Sequence, residues 1–271
     1  MNYPTPNAMV VFDIDGVVRD VAGSYRRAIS DTVEYFTQGQ FRPTPKEIDD
    51  LKAEGCWNND WEASQEFITR FVKAQRNAET LPNFQAIVDF FQLQYRGENF
   101  SGYIQNEPLL MSQAYLAELS RGGVLWGFFS GATQGSAGYV LEQRLGLEHP
   151  VLVAMEDAPG KPDPAGLFQA IILLAERHHC AGDLTVAFNF PIVYVGDTVA
   201  DMQTVARAKH LHPMQQWVGV GVIPPHVQGR LPYTQLLKGA GAIAVLDSVE
   251  QLTSDYIGRD LLLSLQKNEN H

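Results

Sequence analysis

Cysteine is almost missing from this 271-residue chain, with Cys56 and Cys180 alone, too few for a disulfide scaffold and read as reduced thiols of a cytoplasmic protein. Basic residues are scarce beside acidic ones, 20 against 31, for a formal net charge of −11. That balance argues against a nucleic-acid backbone or an anionic membrane as partner. Long apolar runs are absent too: Val124 to Phe129 and Ala170 to Ala175, the most apolar stretches, fall far short of the ~20 residues of a membrane-spanning helix. The opening MNYPTPNAMVVF has neither the basic start nor the apolar core of a secretory signal. No repeat and no low-complexity linker is visible. What the chain has is core material, 45% hydrophobic and 10% aromatic residues, in a length that buries about three quarters of its unfolded surface.

Short apolar runs bounded by turn residues recur at Met9 to Phe12, Val124 to Phe129, Val151 to Ala154, Ile192 to Val195, Val218 to Val222 and Ala242 to Leu246. They read as buried strands. Helical periodicity separates most of them, as in Leu167, Ala170, Ile171, Leu174 and Ala175, which share one face. Alternation of this kind predicts an α/β fold, a mostly parallel Rossmann-like sheet with helices on both sides and ligands beyond the carboxyl ends of the strands. One interval differs. Between the first two runs lie over a hundred residues that read as all helical, with helices near Gly23 to Thr37, Thr44 to Ala53, Trp61 to Arg76 and Asn83 to Tyr95, and a fifth near Met111 to Ser120 leading back to the sheet. The third carries Phe67, Ile68, Phe71 and Val72 in one stripe. The division expected is a core of residues 1–20 and 105–271 with a helical insertion of residues 21–104.

The first strand runs into acid, Phe12-Asp13-Ile14-Asp15-Gly16-Val17, with Asp20 following. Asp is depleted in strands, so two carboxylates one residue apart before a turn-permitting glycine concentrate charge at the strand end. The fourth strand ends alike, Val195-Gly196-Asp197-Thr198, with Asp201 four residues after Asp197; Asp197 as a helix cap and Asp201 as a first-turn acid are the plainer alternative. If strands one and four are neighbours the acids converge, and a hard cation with oxygen ligands, Mg²⁺ before others, relieves their repulsion. After the second strand, Ser130-Gly131 offers a hydroxyl and an open backbone; after the third, Lys161 is held between Gly160 and Pro162. Each is weak alone.

Taken in order, Asp13-Ile-Asp15-Gly-Val, Ser130, Lys161 in Gly-Lys-Pro-Asp-Pro and Gly196-Asp197-Thr-Val-Ala-Asp201 resemble the four motifs of the haloacid dehalogenase superfamily. The helical insertion looks like its C1-type cap, as in the subfamily of phosphoglycolate phosphatases, phosphonatases and sugar-phosphate mutases. The resemblance implies Asp13 as a nucleophile forming an aspartyl-phosphate, Asp15 as acid and base, and Ser130, Gly131 and Lys161 as phosphate-binding residues. It implies Mg²⁺ on Asp13, Asp15 and Asp197, with Asp201 as ligand or anchor. A halide leaves without a proton, so an acid at Asp15 argues against dehalogenation. Phosphonate cleavage calls for a cap lysine as Schiff base, and Lys52 lies in the right region.

The expected activity is hydrolysis of a small phosphorylated metabolite, with a sugar-phosphate mutase or a non-catalytic binding protein as alternatives. Erosion of a chemical position would favour the last, and none is eroded. The run Gly55-Cys56-Trp57-Asn58-Asn59-Asp60-Trp61 suits a hydroxylated ligand as well as it suits a capped helix start. Arg19, Tyr25 and Arg26 face the same choice between substrate and pairing with acidic neighbours. His178, His179 and Cys180, like His210 and His212, lack zinc-type spacing. No Gly-x-x-x-x-Gly-Lys-Ser/Thr loop occurs, and Gly239 to Ala244 reads as a turn.

Overall fold

A computed structural model describes residues 5–54, 56–57, 59–75, 81–178 and 190–262; Gly55, Asn58, Arg76, His179 and Cys180 lie outside them. The apolar runs become β1 (Ala8–Phe12), β2 (Val124–Phe129), β3 (Leu152–Val153), β4 (Ile192–Gly196), β5 (Trp217–Val222) and β6 (Ala244–Leu246). They form one sheet in the order β3-β2-β1-β4-β5-β6, every pair parallel. Unbroken apolar strands are what a sheet covered on both faces requires, and every residue of β1, β4 and β5 is buried. The sixth run starts two residues later than its hydropathy suggests. Gly241 takes a φ of +115°, and Ala242 N–H is spent on Leu237 O at 3.0 Å, which closes the preceding helix.

The chain divides into two compact units, residues 1–20 with 109–271, and Val21–Pro108. In the first, the sheet is joined by α5 (Gln113–Arg121), α6 (Gln134–Gly138, continued in wider turns to Arg144), α7 (Ala165–Arg177), α8 (Val199–Leu211), α9 (Arg230–Gly239) and the short α10 (Ser254–Tyr256). The stripe Leu167, Ala170, Ile171, Leu174 and Ala175 of α7 is buried in one cluster with Met9, Val11 and Tyr194. Each leucine or isoleucine of that stripe contributes about 1.5–3 kcal/mol on full burial.

The second unit holds α1 (Tyr25–Phe36), α2 (Pro45–Ala53), α3 (Asp60–Ala74) and α4 (Phe84–Tyr95), with α1 packed on α3 and α4. Thr44 and Glu47 form a reciprocal capping box at the start of α2, with proline at its first position. Ile29, Val33, Phe67, Ile68, Ile87 and Phe91 make its core, and Phe71 stacks on Phe41 at 5.9 Å. Among the described residues, no helix is long and apolar enough to cross a membrane.

Candidate active site

The three central strands end level. Phe12 is in register with Phe128 of β2 and Val195 of β4, so the polar residues that follow emerge along one edge. Asp13 N–H donates to Val195 O at 2.8 Å and Ser130 N–H to Val153 O at 3.0 Å. Both are held by sheet hydrogen bonds although their side chains are polar. The chain after Asp13 turns through Gly16 at φ +76°, where an added Cβ would stand 2.2 Å from Asp197 Oδ2. Glycine there meets two needs at once, a left-handed backbone and a close approach. Gly16→Ala is therefore expected to cost about 1–3 kcal/mol and to displace the Asp197 carboxylate, so that thermal melting and turnover both fall.

Asp13, Asp197 and Asp201 each offer a carboxylate oxygen within 4.8 Å of the others. Lys161 reaches into this group, its Nζ 2.8 Å from Asp13 Oδ1 and 2.7 Å from Asp201 Oδ1, above the rings of Phe129 and Tyr194 at 5.4 and 5.5 Å. Burial works against the ammonium, but Asp13 and Asp201 outweigh it and hold Lys161 protonated well above the usual lysine range. One cation does not balance the acids. Burial, with Asp201 and Asp15 nearby, pushes the Asp13 carboxyl up to about 7 against the pull of Lys161. Asp197 is raised well above the ordinary carboxylate range by burial and then by Asp201 and Asp13.

Asp201 behaves differently. Burial would raise it, yet Lys161 and Thr198 outweigh burial and lower it. Its Oδ1 accepts from Lys161 Nζ and, at 3.1 Å, from the Tyr194 hydroxyl, while Oδ2 accepts from Thr198 N–H at 2.9 Å and Thr198 Oγ1 at 2.6 Å. Both oxygens are occupied. Asp13 Oδ1, by contrast, is buried with Lys161 as its only polar partner among the described residues.

Asp15 lies two residues past Asp13 with 37% of its side chain exposed, and its Oδ1 accepts from Arg19 Nε at 2.6 Å. Ser130 is buried; its Oγ accepts from Ala132 N–H at 3.1 Å, which leaves the hydroxyl proton for another acceptor. Above Gly131 a Cβ would meet nothing within 4 Å, so the backbone there is open to a ligand.

Three further positions take part in the site without having been assigned a role from the sequence. Tyr194 is wholly buried in β4 and braces Asp201 from below; a hydroxyl within an apolar strand was its only signal. Thr198 caps α8 reciprocally with Asp201, legible as Thr-x-x-Asp. Tyr233 Oη donates to the Asp197 carbonyl at 2.7 Å, a contact between distant segments that no local pattern announces.

The other named residues pair within their own units. Arg19 is fully buried on Asp15. In the helical unit Arg26 donates to Asp49, Tyr25 lies under Lys52 Nζ at 4.9 Å, Trp57 Nε1 donates to Glu54 at 2.9 Å, and Asn59 caps α3 by accepting from Trp61 N–H at 2.9 Å. Lys52 Nζ stands 2.6 Å from Asp60 Oδ1. Burial disfavours its charge, but Asp60 and Tyr25 prevail and raise its pKa, the opposite of what a Schiff-base amine requires. His210 lies in the last turn of α8 and His212 closes it.

Residues 8–209 match the family model of the haloacid dehalogenase-like hydrolases. The chain belongs to this family. As a haloacid dehalogenase-like hydrolase it is an enzyme, and the strand-end acids lie within the matched span. It is also 30% identical over 203 residues to an imidazoleglycerol-phosphate dehydratase of Phytophthora nicotianae, covering 73% of this chain and 41% of that protein; the match thus spans about two fifths of the relative's length. Among solved structures, phosphatase Tt82 from Thermococcus thioreducens is similar with a TM-score of 0.59 at 21% identity, over 85% of this chain and 99% of that one. A β-phosphoglucomutase from Clostridium difficile gives a TM-score of 0.58 at 15% identity, over 96% and 99%. At these identities the likeness concerns the fold.

Proposed function

We propose that this hydrolase is a phosphatase of small phosphorylated metabolites that works through an aspartyl-phosphate on Asp13. The carrying observation is a buried carboxylate, Asp13, at the end of β1 with an ammonium 2.8 Å from one of its oxygens and a second, accessible carboxylate two residues on. In the first half-reaction an Asp13 oxygen bonds to phosphorus as the ester oxygen departs, taking a proton from Asp15. In the second, water attacks phosphorus, gives its proton to Asp15, and inorganic phosphate leaves with the Asp13 carboxylate restored. Such a proton carrier contributes typically 10²- to 10⁴-fold in rate. The Ser130 hydroxyl and Lys161 hold the phosphoryl oxygens and offset charge as it spreads.

The donor set fits a hard divalent cation, because three carboxylates share this buried site with one lysine and Asp13 Oδ1 has only the Lys161 ammonium beside it among the described residues. Asp13 and Asp197, with the Asp15 carbonyl, would hold Mg²⁺, and Asp201, whose oxygens are already filled, braces Lys161 and the start of α8. Bound there, the ion screens the repulsion between the Asp13 carboxylate and the phosphate dianion. Substrate choice is assigned to the helical unit, Val21–Pro108, read as a cap.

Phosphate release from a panel of sugar phosphates, phosphoglycolate, nucleotides and imidazole-glycerol phosphate tests this reading, each with Mg²⁺ and with EDTA. The imidazole ester is included because the Phytophthora relative is named for one. Turnover of at least one ester that EDTA abolishes and Mg²⁺ restores is expected. Absence of release from every ester contradicts it, and turnover that requires a bisphosphorylated sugar points to a mutase using the same Asp13.

A further inference from the structure

Among the described residues Arg19 is the largest side chain wholly removed from solvent. Burying a guanidinium is costly, since it cannot shed its charge. Packing alone does not call for one, because an apolar side chain of similar volume serves a core as well or better. What only the guanidinium supplies is a donor in a fixed place. Its backbone is pinned accordingly: Arg19 N–H donates to Ile14 O at 3.2 Å, Gly16 N–H donates to Arg19 O at 2.9 Å, and Leu110 N–H donates to Val18 O at 2.8 Å. The turn that begins at Asp13 is thereby tied back on itself, and from this base Nε reaches Asp15 Oδ1 at 2.6 Å.

The consequence falls on Asp15. More than a third of its side chain is exposed, and an unsupported Asp on a turn samples several rotamers. With Oδ1 held by a charge-assisted bond, the carboxylate plane is set and Oδ2, which accepts no hydrogen bond among the described residues, becomes the oxygen that faces outward. We propose that Arg19 is the positioning residue of Asp15: it fixes Oδ1 so that Oδ2 carries the proton. The proton on Oδ2 passes to the ester oxygen as the P–O bond breaks, and Oδ2 takes one back from the water that attacks the aspartyl-phosphate, so the cycle closes without any change at Arg19. This rests on the reading of Asp15 as the proton carrier.

The test compares kcat/KM, which reports the step that forms the aspartyl-phosphate, for the fastest alkyl phosphate and for p-nitrophenyl phosphate, whose phenolate leaves without help from an acid. The wild type, Asp15→Asn, Arg19→Lys and Arg19→Met are measured, each first checked for folding by circular dichroism and thermal melting. Misplacing a catalytic group by an ångström costs on the order of a hundredfold. The Arg19 variants are therefore expected to lose about ten- to a hundredfold in kcat/KM on the alkyl ester, with kcat/KM on the aryl ester, which stops at the departure of the phenolate and precedes the water step, little changed. Arg19→Met combined with Asp15→Asn should be no slower than Asp15→Asn alone, as for two residues acting through one step. Equal losses on both esters, or none while Asp15→Asn remains selective for the alkyl ester, overturn the proposal and leave the Asp15 reading standing. An unselective Asp15→Asn overturns both. If neither Arg19 variant folds, Arg19 serves the fold alone and the proposal fails.

Discussion

Asp13→Asn is expected to abolish hydrolysis while leaving a folded protein. The amide keeps the size of the carboxylate and the hydrogen bond from Asp13 N–H to Val195 O, so β1 and β4 stay joined. What it removes is the oxygen anion that bonds to phosphorus. Loss of a covalent nucleophile costs on the order of 10³-fold or more in kcat, and no neighbour stands in. Asp15 is held by Arg19, and Asp201 has its oxygens filled. Stability should move the other way. Asp13 shares a buried site with Asp197 and Asp201, and removing one like charge relieves repulsion, so the melting temperature without metal should match or exceed that of the wild type. Residual turnover within about tenfold of the wild type, or a cooperative melt lost altogether, contradicts this.

Lys161→Met should be nearly as damaging to turnover, and opposite in its effect on stability. Lys161 is the cation that both Asp13 and Asp201 face at under 3 Å. Its loss removes one donor for the transferring phosphoryl group, worth about 10²- to 10³-fold in kcat. It also strands two buried carboxylates, and breaking a buried ion pair from one side costs roughly 3–5 kcal/mol. Chemical denaturation and steady-state kinetics on the same preparation separate the two effects. A Lys161→Met variant as stable as the wild type would mean that the acids are not compensated by this ammonium.

The strands and the parallel α/β architecture were legible because the strands are short apolar runs with helices between. The acids after β1 and β4 were legible for the same reason, since Asp at the end of a buried strand is costly and stands out. What brings them together is register, and register is non-local: Phe12 opposite Val195 is fixed by the pairing of residues some 180 positions apart. Tyr194 shows the limit of pattern. In hydropathy it is one more large residue of β4, and only its hydroxyl on Asp201 gives it a part in the site. Arg19 shows another. Its pairing with an acidic neighbour was one of the two readings open to it, but its complete burial, under the return of the chain through Leu109 and Leu110, has no local signal. The polar run before α3 resolves locally: Asn59 spends its carbonyl on the helix start.

The most direct measurement is acid-quench mass spectrometry of the enzyme mixed with its fastest phosphate ester. A phosphoryl group on Asp13, lost with hydroxylamine and absent from Asp13→Asn, is the expected result. Turnover at full rate with Asp13 never modified, or with the phosphoryl group on another residue, would contradict covalent catalysis at this strand end.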